Sequence, residues 1–307
     1  MFRKTLLLLA SFMLIANYAL LAQDDEDDST GGKWYSWGEH EWFDWHLHGK
    51  PFVEVSYGFG TPKHQNITSK FANVGLAEIK LGHVSMDTYY EDNIIEFEEK
   101  YVFASKISTD LKSSNVSIDE MKSVLDRFGF ASRSGYGYKL GQFEILPYHA
   151  TGFAWSRLVM KTYPSQFYMV AVPPITYDQA VTDTDILNLF QNTFRFGTVW
   201  EGGVRCDVSN FFSLNAGYEA AIIFPRHLFG YHLLSFAIEE GGLGLLDHFI
   251  DEVGDSSPYA APVVNFVLKN GFSYLFYSLK KDKMNWPFDT AAPLTYETFK
   301  FGVTFTF

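Results

Sequence analysis

The last stretch of the chain, Tyr296–Phe307, reads Y-E-T-F-K-F-G-V-T-F-T-F, and its alternation constrains the fold more than any other segment. Phe299, Phe301, Val303, Phe305 and Phe307 hold one set of alternate positions, while Thr298, Lys300, Gly302, Thr304 and Thr306 hold the other. A repeat of two is that of a β-strand, whose successive side chains point to opposite faces. One face is therefore apolar along its whole length and the other polar. Taken alone, the segment leaves an edge strand of a soluble sandwich as the alternative.

The beginning of the chain narrows the choice. Arg3 and Lys4 precede the apolar run Leu6–Leu21, and the small residue Ala22 precedes Gln23. A basic start, an apolar centre and a small residue at the expected cleavage point read as a secretory signal peptide over residues 1–22. The run is short for a membrane anchor, and no Cys follows it to carry a lipid. Removing 1–22 takes away Arg3 and Lys4 and no acid, so 24 basic and 36 acidic side chains become 22 and 36, a net charge of −14. Such a surface repels phosphate, and no nucleic-acid partner is expected. Cys206 stands alone, which excludes an intrachain disulfide. Aromatic residues make up 18% of the chain, yet no mature segment is a long uncharged apolar run, so a bundle of membrane helices is disfavoured.

The closing alternation, ending on Phe307, resembles the final strand of bacterial outer-membrane β-barrel proteins. That resemblance implies an all-β transmembrane antiparallel up-and-down β-barrel in the outer membrane, surrounded by lipid. It also implies that Phe299, Phe301, Val303, Phe305 and Phe307 form an assembly signal read by the barrel assembly machinery. No specific family is indicated.

Along the chain, residues 23–42 form an acidic and aromatic N-terminal segment, and residues 43–307 are expected to form the barrel. Trp34–His48 packs four Trp and three His into fifteen residues. His40, His46 and His48, with Glu39, Glu41 or Asp44, are candidate metal ligands, although no tetrahedral spacing is fixed and no cofactor is expected. An aromatic girdle at the membrane interface is the other reading. Strand signals cover 43–60, 71–86 and 94–107; in the last, Ile95, Phe97, Tyr101, Phe103 and Ile107 share a face that Glu99 interrupts. Ser117–Arg127 has helix character, with Ser117 and Glu120 in capping-box spacing. Residues 131–160 hold two strands turning near Leu146–Thr151, because the aromatic parity shifts from Tyr136 and Tyr138 to Phe153 and Trp155. Lys161–Gln191, with Pro164, Pro173 and Pro174, reads as an external loop. The clearest hairpin spans 193–224 and turns at Ser209 and Asn210. Short links near 87–92, 146–151 and 209–211 alternate with long ones, giving eight strands.

Residues 225–294 are a helical insertion, either external or a plug inside the barrel. Leu228–Val253 carries Gly241, Gly242 and Gly244 and predicts one broken or two short helices. A further helix starts near Ser257 and Pro258 and ends at Asn270 and Gly271; alternatively that pair makes a hairpin turn, which raises the strand count to ten.

Three constellations bear on function. Arg195, Glu201, Arg205 and Asp207 on one strand and Glu219 on the next form an ion-paired network inside a narrow lumen, or else a polar path for a ligand or ion. Lys300 points the same way, with Glu54 as a candidate partner. His83 and Ser85 stand in the H-x-S spacing that looks like the pair of outer-membrane lipid A 3-O-deacylases, with Glu96, Glu98 and Glu99 as possible acids; only these two positions match. His227, His232, Asp247, His248 and Asp251 flank the broken helix as a third set, more simply a solvated rim than a site. The favoured function is a non-enzymatic outer-membrane barrel with a structural, adhesion or accessory role in the envelope. The alternatives are a porin-like transport barrel gated by residues 225–280, and a lipid A-modifying enzyme.

Overall fold

Every strand of the sheet is hydrogen-bonded to two neighbours, because the last strand pairs with the first. In the computed structural model, which describes residues 49–90, 93–112, 116–117, 119–163 and 176–307, eight antiparallel strands close into a barrel in chain order. They are β1 (Lys50–Lys63), β2 (Val74–Tyr90), β3 (Ile94–Ser108), β4 (Ser123–Leu140), β5 (Phe143–Met160), β6 (Phe194–Ser209), β7 (Phe212–Ile223) and β8 (Leu294–Thr306). Three helices interrupt the connections: α1 (Tyr177–Asn188), α2 (Phe229–Ser256) and α3 (Ala261–Lys280). The leader expected over 1–22, the segment 23–42 and the candidate ligands His40, His46 and His48 lie outside the described residues.

The register fixes the tilt. The line of paired residues from Lys50 through Val84, Glu99, Arg133, Ala150, Glu201, Glu219 and Thr298 returns to β1 at Gly60, ten residues further along. Strand number and this stagger together set strand tilt and radius, and eight strands leave an interior just wide enough for side chains. Three short turns lie at one end of the barrel and the four long connections at the other.

Several local expectations are corrected. The turn between β4 and β5 is Gly141–Gln142, and Leu146–Thr151 lies inside β5. The parity shift between Tyr138 and Phe153 is real, but Gly141, at a φ of 68°, makes it in two residues. No helix spans Ser117–Arg127: the local Ser117 N–H to Glu120 bond persists at 3.3 Å, yet β4 begins at Ser123. There β3 and β5 offer ladders on both sides, and paired backbone outweighs a weak helical preference. Within the 161–191 connection, α1 is fixed by a capping box between Thr176 and Gln179, with bonds of 3.2 and 2.8 Å.

The largest correction concerns 225–294. Helix α2 runs unbroken through Gly241, Gly242 and Gly244, and α3 passes through Asn270 and Gly271 without turning, so the ten-strand alternative falls. A side chain at Gly242 would collide with the Phe272 ring, which makes this glycine the point of close approach between the two helices. Of the two placements, external and plug, the structure has the external one, and the hairpin packs on the outer wall. His149, Phe153 and Trp200 point outward from β5 and β6, and they meet Ser273, Phe236 and Tyr274 of the hairpin.

Candidate functional site

A barrel this narrow has to fill its lumen, and the inward positions here fill it with charge. Glu54 and Ser56 on β1, Glu78 and Lys80 on β2, Glu99 on β3, Arg127 and Arg133 on β4, Glu201, Arg205 and Asp207 on β6, Glu219 on β7 and Lys300 on β8 are all buried. Six carboxylates thus face five cations. Burying an ion costs several kcal/mol, so the arrangement is stable only if each charge is paired and bonded.

The pairing runs across the lumen. Lys300 Nζ lies 2.9 Å from Glu78 and 2.6 Å from both Glu201 and Glu219. Arg127 reaches Glu219 at 2.6 Å and Glu78 at 3.0 Å. Arg133 reaches Glu99 at 2.8 Å, Glu54 at 3.0 Å and Glu201 at 3.4 Å. Arg205 bridges Glu99 and Asp207, the second at 2.6 Å. Lys80 contacts Glu54 at 2.9 Å and Glu201 at 3.4 Å. Tyr148 donates its hydroxyl to Glu201 at 2.6 Å and offers its ring to Arg133, whose guanidinium carbon is 4.4 Å from the centroid. Gly217 and Gly203 make room for that ring: a side chain at Gly217 would meet the Tyr148 hydroxyl at 2.6 Å, and one at Gly203 would meet it closer still.

Of the five network residues read from the sequence, Glu201, Arg205, Asp207 and Glu219 are brought together. Arg195 shares their inward parity but lies nearer the long connections; among the described residues its Nε is buried without a partner. Lys300 points inward as expected, although its partners are Glu78, Glu201 and Glu219, while Glu54 is held by Lys80 and Arg133. Sequence reasoning missed Glu78, Lys80, Arg127, Arg133 and Tyr148. The signal for them was present in Glu99: a lone ion on an otherwise aromatic face marks that face as lumen.

Beside the network lies an internal cavity of about 10 Å³ lined by Tyr101, Phe103, Val199, Glu201 and Lys300 among others, room for one water at most. Toward the long connections the lumen is closed by apolar packing, where Leu187 and Phe190, in and just after α1, join Leu76, Phe103, Ile107 and Leu158. Asp183 of α1 accepts from the backbone N–H groups of Thr68 and Ser69 at 3.0 and 2.8 Å, fastening the helix to the β1–β2 connection.

No protein-family model matches this chain, and no curated protein does. In structure it is similar to Neisserial surface protein A (NspA), with a TM-score of 0.40, 10% identity, and 84% of this chain and 97% of that one covered. It is also similar to Ail, the attachment invasion locus protein of Yersinia pestis, solved with the heparin analogue sucrose octasulfate: TM-score 0.32, 7% identity, 84% and 99% covered.

The other candidates are not assembled. His83 and Ser85 point outward from β2, and residues two apart on a strand stand roughly 7 Å apart. Among the described residues no hydrogen bond links them, and His83 Nδ1 is buried without a partner. Of the three possible acids, Glu99 faces the opposite side and is held by Arg133 and Arg205, while Glu98 is the cross-strand neighbour of Ser85 on the outer face and pairs with Lys100 at 3.4 Å, and Glu96 lies opposite Asp87. Asp247 pairs with Lys269 at 2.5 Å, His248 with Glu252 at 3.8 Å, and His232 bonds Asn285, so this set converges on no common point. The acidic group with metal-ligand spacing among the described residues is Glu78, Glu201 and Glu219, and the Lys300 ammonium already occupies its centre. Phe299 and Phe301 stand exposed on the outer wall, and the exposed Phe307 packs edge-on against Phe211 near the short-turn end.

Proposed function

We propose that the chain is a non-conducting, non-enzymatic outer-membrane barrel with a structural, adhesion or accessory role in the envelope. The observation that carries this reading is the closed lumen. A mid-barrel layer of paired ions and an apolar cluster under α1 both cross the lumen, and they support a barrel that does not conduct. The exterior supports the membrane. Val55, Tyr57, Phe59, Phe299 and Phe301 are each half exposed or more, and they alternate with buried polar residues. Apolar outside and ionic inside inverts a soluble protein and suits a barrel in lipid.

Among the described residues no hydrogen bond joins His83, Ser85 and an acid, and the surface of the long connections is available for contact. The folded protein should migrate differently on gels before and after boiling, and liposomes containing it should neither swell in sugar nor pass single-channel current. Steady current or swelling would reinstate transport. Ser85→Ala should leave lipid A mass spectra as they are in wild type; loss of an acyl chain dependent on Ser85 would reinstate the enzyme. Trimming the long connections while keeping the strands separates the remaining roles. Adhesion should vanish with the connections, whereas a structural role should survive their removal.

A further inference from the structure

Residues 229–280 pose a physical problem. Among the described residues no helix is long and apolar enough to cross a membrane, yet these two helices lie against the outer wall of a barrel whose uncovered strands expose Val55, Tyr57, Phe59, Ile79, Leu81, Val102, Phe299 and Phe301, with Glu96, Glu98 and Lys100 outward in the short-turn half of β3. The hairpin also spans that wall from end to end. Near its tip, Tyr138 at the short-turn end of β4 donates to the Tyr259 carbonyl at 2.6 Å; past the end of α3, Lys281 meets Glu297 of β8, near the long connections, at 2.6 Å. Helix α3 has 20 residues, about 30 Å of rise, which matches a hydrocarbon layer of roughly 25–30 Å.

The side of the hairpin that faces the barrel is polar where the wall is polar. His149 Nε2 lies 2.8 Å from Ser273 Oγ, and Asn270 donates to the Tyr148 carbonyl at 3.1 Å. Asn270 fits there because Gly202 has no side chain; a Cβ at that position would stand 2.5 Å from its Oδ1. Two of the formal charges are matched between the helices, Lys269 with Asp247 and Lys280 with Glu239; Glu240 follows Glu239, the exposed His248 stands 3.8 Å from Glu252, and Asp251, Glu252 and Asp255 fall in the last turns of α2, toward the tip. The side facing away is apolar: Leu245 is 68% exposed, Leu275 55% and Val267 57%, beside Leu233, Leu234 and Phe249. Ring contacts run from Tyr274 of α3 through Trp200 and Tyr218 to Phe299 of β8, which meets Phe59 of β1, so the apolar surface of the hairpin joins that of the strands. Apolar surface shared by helix and strands in this way has the geometry of a solvent boundary rather than that of a single partner face.

We infer that α2 and α3 form a lipid-embedded helical hairpin, a second transmembrane layer whose outer face meets the acyl chains in place of strands β4–β7. Neither helix would enter lipid by itself, since its polar residues are satisfied only by the barrel wall and by the other helix. The inference rests on the membrane reading above, and the experiment separates the two. In a Cys206→Ser background, single cysteines at Leu245, Leu275, Phe301 and Tyr177 carry a nitroxide in folded, liposome-reconstituted protein. Collision rates with oxygen, which concentrates in acyl chains, and with a water-soluble nickel chelate are then measured.

Labels at Leu245 and Leu275 should match the label at Phe301, favouring oxygen several-fold, while the label at Tyr177 favours nickel. If the hairpin labels resemble Tyr177 while Phe301 reads as lipid, the hairpin is outside the bilayer and the inference is overturned. Labels shielded from both reagents at the hairpin alone would place a protein there instead of lipid and overturn it as well. If Phe301 also favours nickel, the membrane reading itself fails. Heat-dependent gel migration of each variant establishes that it is folded.

Discussion

Arg133 is fully buried, and its two terminal nitrogens reach three carboxylates, Glu54, Glu99 and Glu201, while its Nε has no partner among the described residues. Replacing it with Met keeps much of the volume but strands buried carboxylates, which costs about 3–5 kcal/mol in comparable ion pairs. Arg133→Met should therefore lower the guanidinium midpoint of the reconstituted barrel by a corresponding amount. The double variant Arg133→Met with Glu99→Gln should recover part of that loss, because it removes a charge that the single variant leaves unpaired. A double variant no more stable than the single one would mean that Arg133 acts through packing against Tyr148. At this scale the sequence was only half legible. Alternation shows which residues share a face, but it does not say which face is inside. On β8 the aromatic face is outside, whereas on β3 Phe97, Tyr101 and Phe103 face inward beside Glu99.

Between elements, what decides position is contact across long sequence separation, and periodicity carries none of it. The strands β1, β7 and β8 could be placed from alternation, since Glu54 and Ser56, Ser213, Asn215 and Glu219, and Thr298, Lys300, Thr304 and Thr306 each share one face of their strand. The α2–α3 hairpin could be recognised as helical but not located, because its place depends on His149 meeting Ser273 and on Gly202 admitting Asn270. Gly202→Leu should accordingly lift α3 from the wall at a cost of about 1–3 kcal/mol, the usual penalty for overpacking. Hydrogen exchange in 261–280 should rise while exchange in β1 and β8 stays slow; unchanged exchange in α3 would mean that the hairpin is held elsewhere. At the long-connection end, His64 joins the β1–β2 connection to residues before β8. Its Nδ1 accepts from the Asn66 N–H at 3.2 Å, so its Nε2–H donates to the Ala292 carbonyl, also 3.2 Å away. Burial holds its pKa below the ordinary 6.5 despite that bond and the nearby Asp183. The unfolded segment then binds the proton more readily than the folded one, so stability is fully present above about pH 6.5 and falls as pH drops toward the folded value. Proteolysis of 64–73 should accelerate on going from pH 7 to pH 5 in wild type, and His64→Gln should abolish the difference.

In the molecule as a whole, two layers of different physics cross the lumen. The layer under α1 is an apolar contact among Leu187, Phe190, Leu158 and Ile107. Below it, Arg127, Arg133, Lys80 and Lys300 bridge acids on facing strands and fill the cross-section. The first depends on a helix fixed by Asp183 and a capping box, so it can be removed without touching a strand. The second is built into the register, because Glu99, Arg133, Glu201 and Glu219 occupy one continuous line of paired residues. Replacing residues 177–190 by a glycine–serine linker should therefore expose the apolar mouth, lower thermal stability and leave liposomes electrically silent. Conductance appearing in that variant would show that the ion layer is permeable and that α1 alone keeps the barrel shut. Silence there, with conductance appearing only after Arg133 or Lys300 is also replaced, would assign the closure to the ion layer and make the interior network a structural wall.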